Sequence, residues 1–463
     1  MTGKYGKADR ISTGNPEVDG ILAGGFPRNS INVIMGQPGS GKTVFIEQLV
    51  FHNAGDDRPI LYLTTLSEPV AKVIKYLERF KFFDEAKLGT AVMYEDIGPH
   101  LVKDGIGALL PVLHDAIASS SPKIIVIDSF KALHDLATSV PEMRQMMYEM
   151  TGMLTAYDTT VFLLGEYTDD QARQLPELAV ADSILQLLRQ PQSTRDERFL
   201  RVLKLRGSGY LEGLHSFKIT NAGLEVYPRL VSPEYPDSYH TSEERMSWGV
   251  PGMDALLGGG LWQGSTTLLA GSAGAGKTTM ALQFVLEGVR LGERSLYINF
   301  QENPTQLART LRNLGVDLTA AKAGGLSLMY ASPVELQVDS LIVTLFRRIR
   351  EEGIRRVVVD ALGDLTTATS DPQRLHDYLY ALIQHFTVQG VTTILNVEAS
   401  GSDASSSADI GGRFCFLADN LVLLTAQREG EIKRKVAVLK ARGTAHDLGV
   451  HAFAIVDGGA RVL

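Results

Sequence analysis

Short runs of aliphatic and β-branched residues alternate with helix-length amphipathic segments along most of the chain. INVIM is followed by TVFIEQLVFHNA; ILYLTTL, KIIVIDS and TVFLLGE are further compact apolar runs, each separated from the next by a segment long enough for a helix. The second half repeats the rhythm with STTLLAG, SLYINF, RVVVDA and TTILNVE. Apolar runs without polar alternation predict strands buried on both faces. Their alternation with helices predicts an α/β fold, with a mostly parallel sheet covered on both sides.

The two halves are copies. RISTGNPEVD at 10–19 answers RMSWGVPGMD at 245–254, an offset of 235. The same offset carries Gly24-Gly25 onto Gly259-Gly260. IIVID ending at Asp128 answers RVVVD ending at Asp360, LKLRGS at 203–208 answers LKARGT at 439–444, and HSFKIT answers HAFAIV. The offset drifts by only a few residues, which predicts one element order with small loop changes. The period is too long for a solenoid. PRLVSPEYPDSYHTSEE at 228–244 holds three prolines and no apolar period, so it reads as a linker. The expected domains are residues 1–232 and 233–463.

Bulk properties narrow the class. A chain of 463 residues exceeds one ordinary core. No apolar run is long enough to span a membrane, and MTGKYGKADRISTGN has no apolar signal core, so a cytoplasmic location is expected. The one cysteine, Cys415, cannot form an internal disulfide and fits a reducing compartment. A net charge of -8 argues against broad binding to nucleic acid.

The chemistry concentrates at GQPGSGKT (36–43) and GSAGAGKT (271–278), each fitting G-x-x-x-x-G-K-[ST] between a strand and a helix. Glycines let backbone N–H groups wrap phosphate, the helix start favours an anion, the lysine reaches the terminal phosphates, and the threonine hydroxyl ligates Mg²⁺. The residues expected to hold ATP are Gly36, Gly39, Ser40, Gly41, Lys42, Thr43 and Val44, with Gly271, Gly274, Ala275, Gly276, Lys277, Thr278 and Thr279 in the second copy. Asp128 and Asp360 end apolar strands, where an acid holds Mg²⁺ in the Walker B role. Thr43, Asp128, Thr278 and Asp360 are thus the expected metal set, and Lys42 and Lys277 also serve catalysis. Hydrolysis needs a group to orient water or take its proton, and Glu68 in LTTLSEP and Glu302 in INFQENP are placed for it; the bland alternative is an acid at a helix N-terminus. Lys204/Arg206 and Lys440/Arg442 stand at a strand end before a glycine. They read either as a solvated edge or as cationic fingers reaching a neighbouring subunit's ATP. His215 and His451 recur but have no zinc spacing, so packing is the expected role.

Taken together, the RISTG-x-P-x-x-D opening, the glycine pair before each loop, the strand-end acids and the K-x-RG[ST] segment in both halves resemble the KaiC family of RecA-like ATPases. The resemblance covers nearly the whole chain. It implies two tandem RecA-like P-loop NTPase domains and a homohexameric double ring with ATP bound between subunits. Hydrolysis would occur in the N-terminal ring, and a regulatory protein partner is implied. In clock members of the family the C-terminal ring also autophosphorylates.

Departures from the family pattern bear on function. Where the family carries two adjacent glutamates, this chain reads Ser67-Glu68 and Gln301-Glu302. A neutral Gln301 cannot accept a proton as a carboxylate does, which weakens a kinase reading. Aligned on Asp419 and NLVLL, the clock phosphosites fall on Cys415 and Phe416, which are neither serine nor threonine. SDASSSAD at 402–409 offers hydroxyls at a different spacing and reads as a polar loop. HAFAIVDGGARVL leaves no tail for the regulatory peptide of clock members. The leading expectation is a ring ATPase acting as a regulatory or timing module. A serine/threonine autokinase, a DNA-stimulated RecA-like motor and a non-hydrolysing nucleotide sensor are the alternatives.

Overall fold

The computed structural model describes residues 10–66, 69–168, 170–171, 175–191, 196–233, 242–333, 336–367, 372–399, 415–429 and 431–463. The chain divides into two compact units, Met1–Arg229 and Leu230–Leu463. In unit 1 the sheet strands are β1 (Ile31–Gly36), β2 (Ile60–Thr64), β3 (Val92–Asp96), β4 (Ile124–Asp128), β5 (Thr160–Gly165), β6 (Ser183–Pro191), β7 (Asp196–Leu205), β8 (His215–Thr220) and β9 (Gly223–Tyr227). Their order is 9-8-7-6-1-5-4-2-3. Strands 6-1-5-4-2-3 are mutually parallel, and β7, β8 and β9 extend the sheet antiparallel.

Unit 2 repeats this with β10 (Thr266–Gly271), β11 (Arg294–Asn299), β12 (Leu326–Tyr330), β13 (Ile354–Asp360), β14 (Thr392–Glu398), β15 (Asn420–Glu429), β16 (Glu431–Ala441), β17 (Val450–Val456) and β18 (Gly459–Val462), in the matching order 18-17-16-15-10-14-13-11-12. Both units are therefore mostly parallel α/β sheets with RecA-like topology. The sequence pattern predicts the central strands; the antiparallel extension, signalled only by the LKLRGS/LKARGT and HSFKIT/HAFAIV matches, completes each sheet.

The continuous apolar runs are explained by two cores per unit. Along β4, Ile124 and Val126 point into one core and Ile125 and Ile127 into the other. In β13, Val357 and Val359 face one side and Val358 the opposite side. With a period of two and both faces covered, every position is apolar. Each such side chain contributes about 1.5–3 kcal/mol by leaving water.

The repeated opening motif is a structural staple. Asp19 accepts from the Ser12 hydroxyl at 2.6 Å and the Thr13 amide at 2.7 Å; Asp254 accepts from the Ser247 hydroxyl at 2.6 Å and the Trp248 amide at 2.8 Å. Each staple grips the helix that follows the P-loop. Asn53 donates to the Ser12 carbonyl at 2.7 Å, and the buried Trp248 donates through Nε1 to the Met280 carbonyl at 3.0 Å. Removing the Trp248 ring leaves a large void, so Trp248→Ala is expected to cost unit 2 about 3–5 kcal/mol, read as a lower urea midpoint.

Candidate functional site

Each P-loop leaves the C-terminal end of the central parallel strand, where both neighbouring strands fix it. Gly41 and Gly276 hold φ of +105° and +110° as the last residues before helices α1 (Lys42–Asn53) and, after the short helix α2 (Pro176–Val180), α3 (Lys277–Arg290). Residues with a Cβ rarely adopt that conformation, which aims the first helical amides at the loop's concavity. Lys42 folds back onto the carbonyls of Gly36 (2.9 Å) and Gln37 (3.1 Å), and Lys277 onto those of Gly271 (2.8 Å) and Ser272 (3.0 Å). Burial lowers both ammonium pKa values, opposed by Glu166 and Asp128 in unit 1 and by Glu398 and Asp360 in unit 2.

In unit 1 the loop opens on a cavity of about 480 Å³ that includes Gly39, Lys42, Thr43, Val44, Asp128 and Glu166 in its lining. A nest of amides, an ammonium and strand-end acids suit a polyphosphate with a hard cation. In unit 2 the Thr278 hydroxyl donates to Asp360 Oδ2 at 2.8 Å, so hydroxyl and carboxylate oxygens converge beside Lys277, a donor set that fits Mg²⁺. Ser40 and Ala275 are buried beneath the loops, while Gly274 and Thr279 lie at or near the surface.

Four site residues escape motif reading. Tyr62 donates to Asp128 at 2.9 Å and Tyr297 to Asp360 at 2.6 Å; both rings are buried, and each fixes one carboxylate oxygen. Glu166, at the end of β5, stands 3.7 Å from Lys42, and Glu398 ends β14 near Lys277. The signal was present: LYLT answers LYIN, and TVFLLGE answers TTILNVE.

The two candidate bases are not equivalent. Thr64 pairs with Asp128 and Asn299 with Asp360 in the sheet register. Counting onward from those pairs makes Leu66 the counterpart in sequence of Gln301, Ser67 that of Glu302 and Glu68 that of Asn303, the N-cap of helix α4 (Pro304–Asn313). Ser67 and Glu68 lie outside the described residues, as does SDASSSAD. Glu302 is half-buried with Oε2 shielded and unpartnered; burial first, then Asp360, raises its pKa.

The cationic pairs lie far from their own loops. Lys204 donates to the Ala179 carbonyl at 3.0 Å, and Arg206 pairs with Asp182 at 3.4 Å. Asp182 in turn accepts from the amide of Ile31, the first residue of β1, whereas the loop follows its last. The length of β1, about 17 Å, separates them. Lys440 likewise donates to the Cys415 and Ala418 carbonyls, and Arg442 lies 4.0 Å from Asp419, which binds the Thr266 amide at the start of β10. His215 is buried, its two ring nitrogens engaged by the Leu211 carbonyl and the Arg229 amide, which is a packing role.

A family model described as "ATPase: KaiC" matches residues 11–231 and 246–463. The chain belongs to the KaiC family. It is 26% identical to the circadian clock oscillator protein KaiC of Picosynechococcus sp., covering 96% of this chain and 88% of that protein. It is 25% identical to the circadian clock protein KaiC3 of Synechocystis sp., covering 98% and 92%. Among the described residues no helix is long and apolar enough to cross a membrane.

One buried acid sets the KaiC-family unit 1 apart from unit 2. Glu47 on α1 is fully buried, accepts from the Tyr94 hydroxyl at 2.7 Å and leaves Oε1 without a partner. The register puts Leu282 and Leu328 at the corresponding places in unit 2. Burial pushes the Glu47 carboxyl up to about 8; the Asp128 charge adds to this and the Tyr94 hydrogen bond opposes it. An unfolded glutamate ionises near 4.5. Between those values the folded state holds the extra proton, so stability falls as pH rises from about 4.5 to 8 and levels off above. Glu47→Gln is expected to flatten that slope and to stabilise unit 1 by on the order of a few kcal/mol at pH 8, with little change near pH 4.5, measured by urea unfolding across pH.

Proposed function

We propose that the chain hydrolyses ATP to ADP and phosphate at its two P-loops, as a ring-shaped homo-oligomer serving a regulatory or timing role. The observation that carries the reading is the twice-built mouth of the loop. In each unit a P-loop lysine, a tyrosine-held strand-end aspartate and a further glutamate at a strand's end stand together at the mouth of the loop, and in unit 1 they line the cavity of about 480 Å³. Thr43 with Asp128, and Thr278 with Asp360, would hold Mg²⁺, which supplies charge neutralisation at the β- and γ-phosphates. Lys42 and Lys277 bind the phosphates, and Glu302 is placed to take the water's proton and pass it on. Glu68, next to a proline and the counterpart by count of the N-cap residue Asn303, has weaker support as a base.

The ring is supported by where the cationic pairs stand. Lys204/Arg206 and Lys440/Arg442 lie a strand's length from the loops of their own units, so as phosphoryl-stabilising fingers they would serve another copy's nucleotide. The clock relatives' printed names support the timing role. Gln301, Cys415 and Phe416 favour hydrolysis over autophosphorylation.

Lys42→Ala and Lys277→Ala are each expected to remove one of two bound nucleotides, counted after gel filtration. The intact mass should stay free of phosphoryl adducts while ADP accumulates. Both sites filling in both variants would overturn the assignment. Light scattering is expected to show assembly with Mg-ATP, and a monomer at every nucleotide concentration would remove the finger argument.

A further inference from the structure

The second unit carries a polar pair that the first lacks on both sides. Gln301 lies two residues beyond Asn299 at the end of β11. Asp364 lies four beyond Asp360, in helix α5 (Leu362–Thr367) after β13. Because Asn299 and Asp360 are register partners, the two side chains meet above the sheet edge. Gln301 Nε2 stands 3.2 and 3.1 Å from the two Asp364 oxygens, and the Ala361 amide also donates to Asp364 at 3.4 Å. In unit 1 the same count reaches Leu66 and Ala132. Both partners are present in one copy and both absent in the other, as expected of residues that act together.

The backbone beneath Gln301 is fixed as well. Asn299 Oδ1 accepts from the amides of Gln301 (2.9 Å) and Glu302 (3.0 Å), and Asn299 Nδ2 donates to the Glu302 carbonyl at 2.9 Å. With its main chain held and its nitrogen end committed to a carboxylate, the amide has one orientation: the oxygen turns away from Asp364. That oxygen can accept a hydrogen bond but cannot take up a proton at neutral pH. Phosphoryl transfer passes through a loose transition state, in which placing the nucleophile matters more than deprotonating it early.

We infer that Gln301 orients the attacking water at the C-terminal nucleotide site, and that Asp364 is the positioning residue that aims its amide. This rests on the ATPase reading. The water oxygen bonds to the γ-phosphorus as the bond to the β,γ-bridging oxygen breaks. That electron pair leaves with ADP, and the water proton ends on the released phosphate. Gln301 keeps its protons throughout. The unit 1 site, with Leu66 and Ala132, lacks this device, so the two sites handle water differently.

The test uses full-length Lys42→Ala protein, in which turnover comes from the second site alone. Gln301→Ala and Asp364→Ala are each expected to lower kcat by about tenfold or more, with KM for ATP within about twofold. The double variant should be no slower than the slower single, because both act on one water. Asp364→Asn, which keeps an acceptor oxygen, should recover most of the rate. Thermal melts and bound-nucleotide counts on each protein separate misfolding from a catalytic loss. Parent kcat in Asp364→Ala, or losses that multiply in the double variant, overturn the inference alone. A Lys42→Ala parent that binds ATP yet forms no ADP removes the ATPase reading of this site and the inference with it.

Discussion

A loop that offers its amides to phosphate cannot use them to hold itself in place. Everything around the two P-loops answers that constraint. The strand before each loop is the middle of a sheet, hydrogen-bonded on both sides. The helix after it is buried against the core, in unit 1 along most of its length, and the serine–aspartate staple pins it from the opening motif of each unit. The lysine folds back on the loop's carbonyls, so those acceptors are occupied from within the loop. The fold supplies rigidity from outside because the loop has none to give.

The features readable from residue order are those set by short spacings. The P-loops and Asp128 and Asp360 at strand ends follow from patterns within about ten residues, and the duplicated order of elements follows from the recurrence of such short patterns at nearly one offset. Tyr62 and Tyr297 were visible as a repeated tyrosine in an apolar run, yet nothing local says that its hydroxyl meets an acid on the adjacent strand. Gln301 and Asp364 are 63 residues apart and meet only through the β11–β13 register. Glu68 and Glu302 show the reverse problem. Glu68 stands one residue before a proline and Glu302 two, a difference that the register of the preceding strands makes plain by count.

Duplication has therefore preserved the scaffold more strictly than the chemistry. The staples, the lysine contacts and the tyrosine–aspartate bonds recur with nearly the same distances. What differs lies one layer out: Glu47 and Tyr94 behind the first site where leucines stand behind the second, Gln301 and Asp364 beside the second site where Leu66 and Ala132 stand beside the first. A KaiC-family chain can specialise its two sites by changing side chains that no phosphate touches.

Glu47 also marks the unfolding of unit 1 calorimetrically. At neutral pH the folded unit stores a proton that the unfolded chain gives up to the buffer. The heat absorbed on melting unit 1 therefore contains the buffer's own enthalpy of protonation, and it shifts when phosphate is exchanged for an amine buffer. Unit 2, with Leu282 in that place, has no such reporter there. Within unit 1, Glu47 is thus legible through the identity of the salt that keeps the pH.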